Sequence, residues 1–289
     1  MDYGVLLGQA TINGLIVGLL YLLMAVGFTL VFGVMRMVNF AHGEFYMLGA
    51  FAAYVFTVHL QLPFLAAVCL AFAAAIVLGC LIEWLILKPF RRDELNGMIV
   101  TIGLTMILQN LALIIFGPDP LSVPAVAQGT TQVGSLVVPN SRLYVVGFAL
   151  GVLVLLYLYL RRTRSGRALR AVVEDFKIAS IQGISARIYY PLGFGVGVGL
   201  AAIAGALMAP LFSVSPFIGS TPLLKAFMVV ILGGLGSIPG AAVAGLALGL
   251  IESYASLFLS GSTADMLIFL VVMLMLVFMP RGILGKGET

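Results

Sequence analysis

The chain has 289 residues, of which 62% are hydrophobic and only 9% are charged. An ordinary soluble domain carries about 25% charged residues, so this composition excludes a water-soluble globular fold. The formal net charge is +4, but the basic residues stand in short segments between apolar runs, a distribution that gives no indication of a nucleic-acid partner.

Apolar runs long enough to cross a hydrocarbon core about 30 Å thick recur along the whole chain. They do not alternate as transmembrane strands do, so the sequence predicts an all-α, polytopic helical membrane protein with about nine spans, within a range of roughly eight to ten. The predicted spans are residues 5–34, 41–58, 62–87, 98–116, 143–160, 189–212, 222–235, 241–259 and 266–279.

The basic residues predict the orientation of these spans. With nine spans and an outer N-terminus, all of the 15 Lys and Arg residues except Arg142 and Lys225 fall on the cytoplasmic side, including Arg92, Arg281 and Lys286. Because positive residues are enriched in cytoplasmic segments, the sequence predicts an N-terminus outside and a C-terminus inside.

The second predicted span begins with VNFAHGEFYML, residues 38–48, which holds polar side chains between apolar runs. Asn39, His42 and Glu44 are costly to bury in lipid, so they are candidates for a substrate pathway. No metal site is predicted, because the only other histidine, His59, lies at the opposite end of the span. His42 and Glu44 point to different faces of a helix, which favours a polar gate or a hydrogen-bonded helix break over a proton relay.

Three more pathway candidates lie deep in predicted spans. Gln109 and Asn110 are about 16 Å into the fourth span, and Glu252 is about as far into the eighth. The alternatives stay open, because amides also hold helices together and Glu252 can form a local salt bridge that only stabilises the bundle. Glu83 lies about one turn from Lys88, where it can reach the interface, and this favours a structural role.

Two segments between spans are longer than simple turns. Residues 117–142 are rich in Pro, Gly and Ser and are predicted to lie outside, either as a cap over a pathway or as a connection between helices. Residues 161–188 are basic and are predicted to form short cytoplasmic helices, with Ser165 as a cap, Leu169 on an apolar side and Gly183 as the stop. The residues alone leave open whether this segment docks a partner or only sets the topology.

Glycines spaced four residues apart predict close helix crossings and a tightly packed bundle. These pairs are Gly4 and Gly8, Gly14 and Gly18, Gly195 and Gly199, Gly236 and Gly240, and Gly245 and Gly249. No catalytic constellation is present in the sequence, and the C-terminal GILGKGET lacks the glycine spacing of a phosphate loop, so neither an active site nor a nucleotide site is predicted.

Three blocks carry a family resemblance: GLLYLLMAVGFTLVFGVMRMVNFAHGEFYMLGAF, GRALRAVVEDFKIASIQGIS and KAFMVVILGGLGSIPGAAVAGLALGLIES. Together they resemble the membrane permease subunit of the branched-chain amino acid ABC importer family, of the first of its two permease types. The resemblance extends over nearly the full chain in the same order, with NFAHGE and GGLGSIPGA as its specific motifs. Permeases for urea and short-chain amides are closely similar and are the alternative for the substrate.

The resemblance implies one transmembrane permease domain over residues 1–289, in the bacterial cytoplasmic (inner) membrane, that imports branched-chain amino acids by alternating access. The chain would not be an enzyme and would hold no cofactor, since ATP hydrolysis belongs in this family to two cytoplasmic ATP-binding subunits. A second related permease subunit would complete the pathway. A periplasmic or extracellular substrate-binding protein would dock at residues 117–142 or at the segment SVSPFIGSTP.

In this family the segment that corresponds to residues 166–185 docks into the ATPase subunits. The resemblance therefore favours coupling over a purely topological role, with these candidates: Arg167, Ala171, Glu174, Asp175, Ala179 and Gly183. The opposing hypothesis is a secondary transporter or channel that works alone, which is motivated by Glu44 and Glu252 within the spans.

Overall fold

The computed structural model describes residues 3–91, 93–134, 136–279 and 282–283. Arg92, Arg281, Lys286 and the last residues of the GILGKGET tail lie outside these ranges, so the predictions made for them are not addressed. Within the described ranges the chain forms eleven α-helices and one β-hairpin. Their bounds are α1 Tyr3–Met35, α2 His42–Tyr54, α3 Phe64–Ile82, α4 Glu94–Phe116, β1 Thr130–Val133, β2 Leu136–Pro139, α5 Asn140–Arg162, α6 Arg164–Glu174, α7 Phe176–Ile181, α8 Ala186–Met208, α9 Ser220–Gly233, α10 Ile238–Phe258 and α11 Gly261–Phe278.

Among the described residues, six helices are long and apolar enough to cross a membrane. They are Tyr3–Met35, Phe64–Phe90, Glu94–Phe116, Asn140–Arg162, Arg187–Met208 and Ile238–Phe258. Helices α9 and α11 contain shorter apolar stretches, and α2 coincides with another predicted span without being among the six. The prediction of a helical, polytopic membrane protein is confirmed, whereas a count of about nine spans stays a prediction.

Helix boundaries follow from local chemistry. The chain leaves α1 at Arg36, which has a left-handed backbone with φ 57°. Both α2 and α3 are prolonged by a single π-helical turn, Val55–His59 and Glu83–Leu87 respectively. Helix α4 begins where Asp93 accepts a hydrogen bond from the Asn96 backbone N–H at 3.2 Å. The predicted spans therefore match real helices, with ends that differ by a few residues.

The segment 117–142 contains structure that the all-α prediction omits. Strands β1 and β2 form an antiparallel hairpin within it, and α5 already begins at Asn140. Leu121 and Val214 exchange two backbone hydrogen bonds of 2.8 Å, which join this segment to SVSPFIGSTP. The two segments that sequence analysis assigned to a binding protein are therefore neighbours.

Helices α1 and α8 form the centre of the bundle, and most of their residues are buried. Helix α1 packs on α8, α9 and α10, whereas α3, α4, α5 and α11 present exposed apolar faces of the kind that contacts lipid. The bundle is thus built around the first helix of the chain.

Glycine pairs produce the crossing of α1 and α10, as predicted. A Cβ added at Gly14 would lie 2.9 Å from the Gly249 carbonyl oxygen, and one at Gly18 would lie 2.9 Å from that of Gly245. Small residues bring the two backbones together here, where packing rather than hydrophobicity drives association in lipid. The prediction is wrong for Gly4 and for Gly236, because no described atom lies within 4 Å of the Cβ position at either one.

The segment between α5 and α8 forms the short helices α6 and α7. Thr163, and not Ser165, caps α6, since its side chain accepts a hydrogen bond from the Gly166 backbone N–H at 2.9 Å. Ser165 instead lies 2.9 Å from the hydroxyl of Tyr159. Gly183 has φ 84° just after α7, so its predicted role as a stop is confirmed.

Candidate functional site

The turn between α1 and α2 holds the three polar residues of the NFAHGE motif, and all three are buried. Asn39 Oδ1 accepts a hydrogen bond from the Ala41 backbone N–H at 3.1 Å, which closes the turn. A ring N–H of His42 donates to the Met24 carbonyl oxygen at 3.2 Å, and the edge of that ring meets Phe28. The hydrogen-bonded break therefore lies before His42 and Glu44, which both belong to α2, and the polar gate stays a prediction.

Glu44 points away from His42 and toward α4. Its Oε1 accepts a hydrogen bond of 2.9 Å from Gln109 Nε2, so α4 is tied to the start of α2. Asn110, the next residue, lies on the exposed side of α4, where its amide donates to the Met106 carbonyl oxygen at 2.7 Å. The structure therefore brings Gln109 to the site and turns Asn110 away from it.

Several buried polar atoms around this turn have no hydrogen-bond partner among the described residues. They are Asn39 Nδ2, His42 Nδ1 and Glu44 Oε2, with Thr29 Oγ1 on α1. Leaving such a group unpaired costs about 1–3 kcal/mol, so a native protein keeps it for a reason. Sequence analysis missed Thr29, although a hydroxyl deep in the first predicted span was a visible signal.

Glu252 belongs to a different cluster, which joins four helices. Lys225 Nζ on α9 donates to Glu252 Oε2 on α10 at 3.1 Å and to Asp265 Oδ1 on α11 at 2.6 Å. Tyr21 on α1 donates to Glu252 Oε1 at 3.2 Å. The Lys225 side chain is only 2% exposed. Lys225 is therefore a buried ion-pair partner inside a helix, and the side of the membrane assigned to it stays a prediction.

The Lys225 cluster and the α1–α2 turn involve different residues, so the predicted pathway candidates divide into two groups. Within the part of the chain that the structure describes, no three His, Cys, Asp or Glu residues lie together in a way that could hold a metal ion. Glu83 forms a 2.5 Å ion pair with Arg91, which confirms its structural interpretation. The candidate site therefore consists of neutral and charged hydrogen-bonding side chains, from the α1–α2 turn and the Lys225 cluster, inside an apolar helix bundle.

Helix α6 is fastened to the end of α1. Arg36 Nη2 donates to the carbonyl oxygens of Val173 at 3.2 Å and of Glu174 at 3.1 Å, at the C-terminal end of α6. A basic group at the C-terminal end of a helix also interacts favourably with the helix dipole. Leu169 is fully buried, and a Cβ at Gly193 would lie 2.8 Å from its Cδ1. The apolar side of α6 thus packs against α1 and α8.

The coupling candidates differ in accessibility. Arg167, Glu174 and Gly183 are exposed, Ala171 is half-buried, and Asp175 caps α7 by accepting from the Ile178 N–H at 3.0 Å. Ala179 is buried and so is not available to a partner on this surface. Sequence analysis missed Ile181, which is 86% exposed on α7. Ile178, three residues earlier on the same face, is 56% exposed, so the two side chains form an apolar patch of the kind found at protein-binding surfaces.

The comparisons with known proteins agree with one another. The family model described as "Branched-chain amino acid transport system / permease component" matches residues 10–277. The high-affinity branched-chain amino acid transport system permease protein LivH of Escherichia coli (strain K12) is 35% identical over 97% of this chain and 96% of its own. The corresponding permease protein BraD of Pseudomonas aeruginosa shows the same identity and coverage.

A more distant relative is the probable branched-chain amino acid transport permease protein LivH of Methanocaldococcus jannaschii, which is 28% identical over 92% of this chain and 89% of its own. No solved structure matches the chain. Since the family model covers nearly all of the residues that form the helix bundle, this chain belongs to the family of branched-chain amino acid transport system permease components.

Proposed function

We propose that this chain is the transmembrane permease subunit of an ATP-driven importer of branched-chain amino acids in the bacterial cytoplasmic (inner) membrane. The observation that carries the proposal is the attachment of α6 to α1 by Arg36, which links a partner-binding surface to the centre of the bundle. The names of the relatives favour branched-chain amino acids over urea or short-chain amides as the substrate.

The proposed topology has nine spans, with the N-terminus outside and the C-terminus inside, in one permease domain over residues 1–289. Contacts between segments support this arrangement. Arg36 contacts α6 within the cytoplasmic coupling segment 161–188, so both lie on one side. The Arg142 guanidinium donates to Asn13 in the N-terminal half of α1, which supports a position for segment 117–142 on the same side as the N-terminal end of α1.

Transport would proceed by alternating access. Two separate cytoplasmic ATP-binding subunits would dock on α6 and α7, and their closure would move α6 as a rigid unit. Because Arg36 joins α6 to the end of α1, that movement reaches the turn that holds Asn39, His42 and Glu44. These are the groups that would line the pathway, together with Gln109 and Glu252.

A second, related permease subunit would complete the pathway. Asn110 faces away from the helices of this chain, so it lines a pathway only where another subunit closes over α4. Substrate would arrive on a periplasmic or extracellular binding protein that docks where residues 117–142 meet SVSPFIGSTP. Specificity for an aliphatic side chain would then depend mainly on that binding protein, since the candidate groups here are few and polar.

Gly183→Arg is expected to abolish association with the ATP-binding subunits, measured by co-purification and by leucine uptake into proteoliposomes with ATP inside. Gly183 is exposed with φ 84°, so the new side chain projects from the docking surface. Gly134→Arg is the matched control for association with the ATP-binding subunits, because Gly134 also has a positive φ of 64° and no described atom within 4 Å of its Cβ position, but lies in the hairpin.

Normal association and uptake by Gly183→Arg would contradict the coupling assignment. Leucine uptake by the chain alone, driven by an ion gradient and indifferent to ATP, would instead support a secondary transporter.

Arg36→Ala is expected to uncouple the importer while leaving its subunits associated. It removes two charge-assisted hydrogen bonds to α6, and losing even about 1.5 kcal/mol there would lower leucine uptake per ATP hydrolysed by roughly tenfold. ATPase activity and uptake are measured in the same proteoliposomes. Arg170→Ala, an exposed change on α6, should keep the wild-type ratio. If leucine uptake per ATP hydrolysed is unchanged in Arg36→Ala, the contact between Arg36 and α6 does not couple ATP hydrolysis to transport.

A further inference from the structure

A groove of about 920 Å³ separates α5 from α3 and α8. Its walls are almost wholly apolar, with Phe72 and Ile76 from α3, Leu155 from α5 and Val196 from α8 among them. Leu155 is 67% exposed, so the groove opens on the outer surface of the bundle and not into its core. The transport mechanism proposed above makes no use of this space.

The groove follows from the way in which α5 is attached. Helices α3 and α5 meet at one end, where the rings of Phe64 and Phe148 contact edge to face at a centroid distance of 6.3 Å. Beyond that contact α5 presents Gly147 and Gly151, and no described atom lies within 4 Å of a Cβ added at either one. Side chains that could fill the space are missing on this wall.

The dimensions of the groove suit a hydrocarbon chain. On α5 its lining runs from Leu143 to Tyr159, which corresponds to about 24 Å at 1.5 Å per residue. One leaflet of the hydrocarbon core is about 15 Å deep, so the groove can hold an acyl chain along its whole length. Water is a poor occupant, because these walls offer it almost no hydrogen-bonding partners.

The end of the groove at Tyr159 carries positive charge. Leu155, Tyr159 and Arg162 follow one another at spacings of four and three residues, so they share one face of α5. Arg162 is exposed one turn beyond the last lining residue, and Arg161 stands next to it. The guanidinium of Arg91 on the α3 side is already neutralised by Glu83, so it suits an anionic group at the mouth less well than Arg162 does.

We propose that the groove binds an acyl chain of an anionic phospholipid whose phosphate lies at Arg162. An apolar groove that ends in exposed arginines at the end of a membrane-spanning helix matches that ligand in both polarity and charge. The lipid would touch Tyr159, whose hydroxyl lies 2.9 Å from Ser165 in the first turn of α6. The bound lipid would therefore contact the junction between α5 and the coupling segment. The site does not depend on the proposed transport function.

The test is native mass spectrometry of the purified full chain, titrated with phosphatidylglycerol or with phosphatidylcholine of the same two 16-carbon chains. The wild-type chain is expected to retain phosphatidylglycerol in preference. Gly151→Leu fills the groove and should lose the bound lipid. Gly103→Leu is the matched control, because it also lies where no described atom is within 4 Å, but on α4 and outside the groove.

Arg162→Gln distinguishes the contribution of the lipid headgroup from that of the acyl chain. It should keep lipid in the groove while lowering the preference for phosphatidylglycerol by about fivefold, since a basic residue near anionic lipid contributes about 1 kcal/mol. Two outcomes overturn the proposal: equal retention of both lipids by the wild type, or unchanged lipid binding by Gly151→Leu. If Gly151→Leu instead disrupts association between permease chains with lipid binding intact, the groove holds a protein helix and the lipid site is refuted.

Discussion

Gly49→Ala is expected to separate α2 from α8 and to lower the free energy of unfolding by about 3 kcal/mol, the upper end of the usual cost of overpacking. A Cβ at Gly49 would overlap the carbonyl oxygen of Ala202, and one at Gly205 would overlap that of Tyr46. The two helices therefore contact through backbone in both directions. Backbone cannot rotate away as a flexible side chain can, so a single methyl group forces the helices apart.

The measurement is the thermal unfolding midpoint of the purified chain in detergent, read from its monodisperse fraction. Gly103→Ala is the matched control: it adds the same methyl group to a transmembrane helix, at a position where no described atom lies within 4 Å. It should leave the midpoint at or slightly above the wild-type value, because alanine favours helix more than glycine does. Equal midpoints for the two variants would contradict the crossing of α2 and α8.

Lys225→Met is expected to destabilise the chain by about 3–5 kcal/mol, the cost of removing one partner from a buried ion pair. Glu252 and Asp265 would lose the cation that both contact, and the Glu252 carboxylate would keep, among the described residues, its hydrogen bond from the Tyr21 hydroxyl. Thermal unfolding of the purified chain measures the effect. Lys177→Met, on the exposed surface of α7, is the control for the same change of side chain.

The double variant Lys225→Met/Glu252→Gln distinguishes an unpaired charge from lost packing. Neutralising Glu252 should recover part of the lost stability, because the carboxylate that loses its partner is then an uncharged amide. Asp265 is 44% exposed and can reach water without the lysine. A double variant no more stable than Lys225→Met would mean that the cluster acts through packing alone.

The two sets of polar residues, the Lys225 cluster and the α1–α2 turn, differ in how many of their side chains have partners. The Lys225 cluster joins α9, α10 and α11 to α1 with its charges largely satisfied, which is a way of holding short helices to the bundle. The α1–α2 turn instead contains buried polar atoms without partners among the described residues. It follows the end of α1, where Arg36 contacts α6. The first set thus contributes to stability, and the groups proposed to line the pathway, Glu252 among them, come from both.

Several features of this protein were determined by its sequence alone. Hydropathy located the helices α1 to α5 and α8 to α11, each of which coincides with a predicted span. It could do so because a run of apolar residues long enough to cross a bilayer is a local property of the sequence. The spacing of Gly14 and Gly18 predicted a close helix crossing for the same reason, but not that α10 is the partner helix. The family motifs NFAHGE and GGLGSIPGA indicated the permease family, which the comparisons confirm.

Only the tertiary structure decided which polar groups meet. Lys225 lies 27 residues from Glu252 and 40 from Asp265, and no local pattern pairs positions so far apart. Gln109 and Asn110 are adjacent and chemically alike, yet the rotation of α4 sends one to Glu44 and turns the other outward. Hydropathy and periodicity report how each helix is composed, whereas these contacts depend on how each helix is rotated and packed against its neighbours.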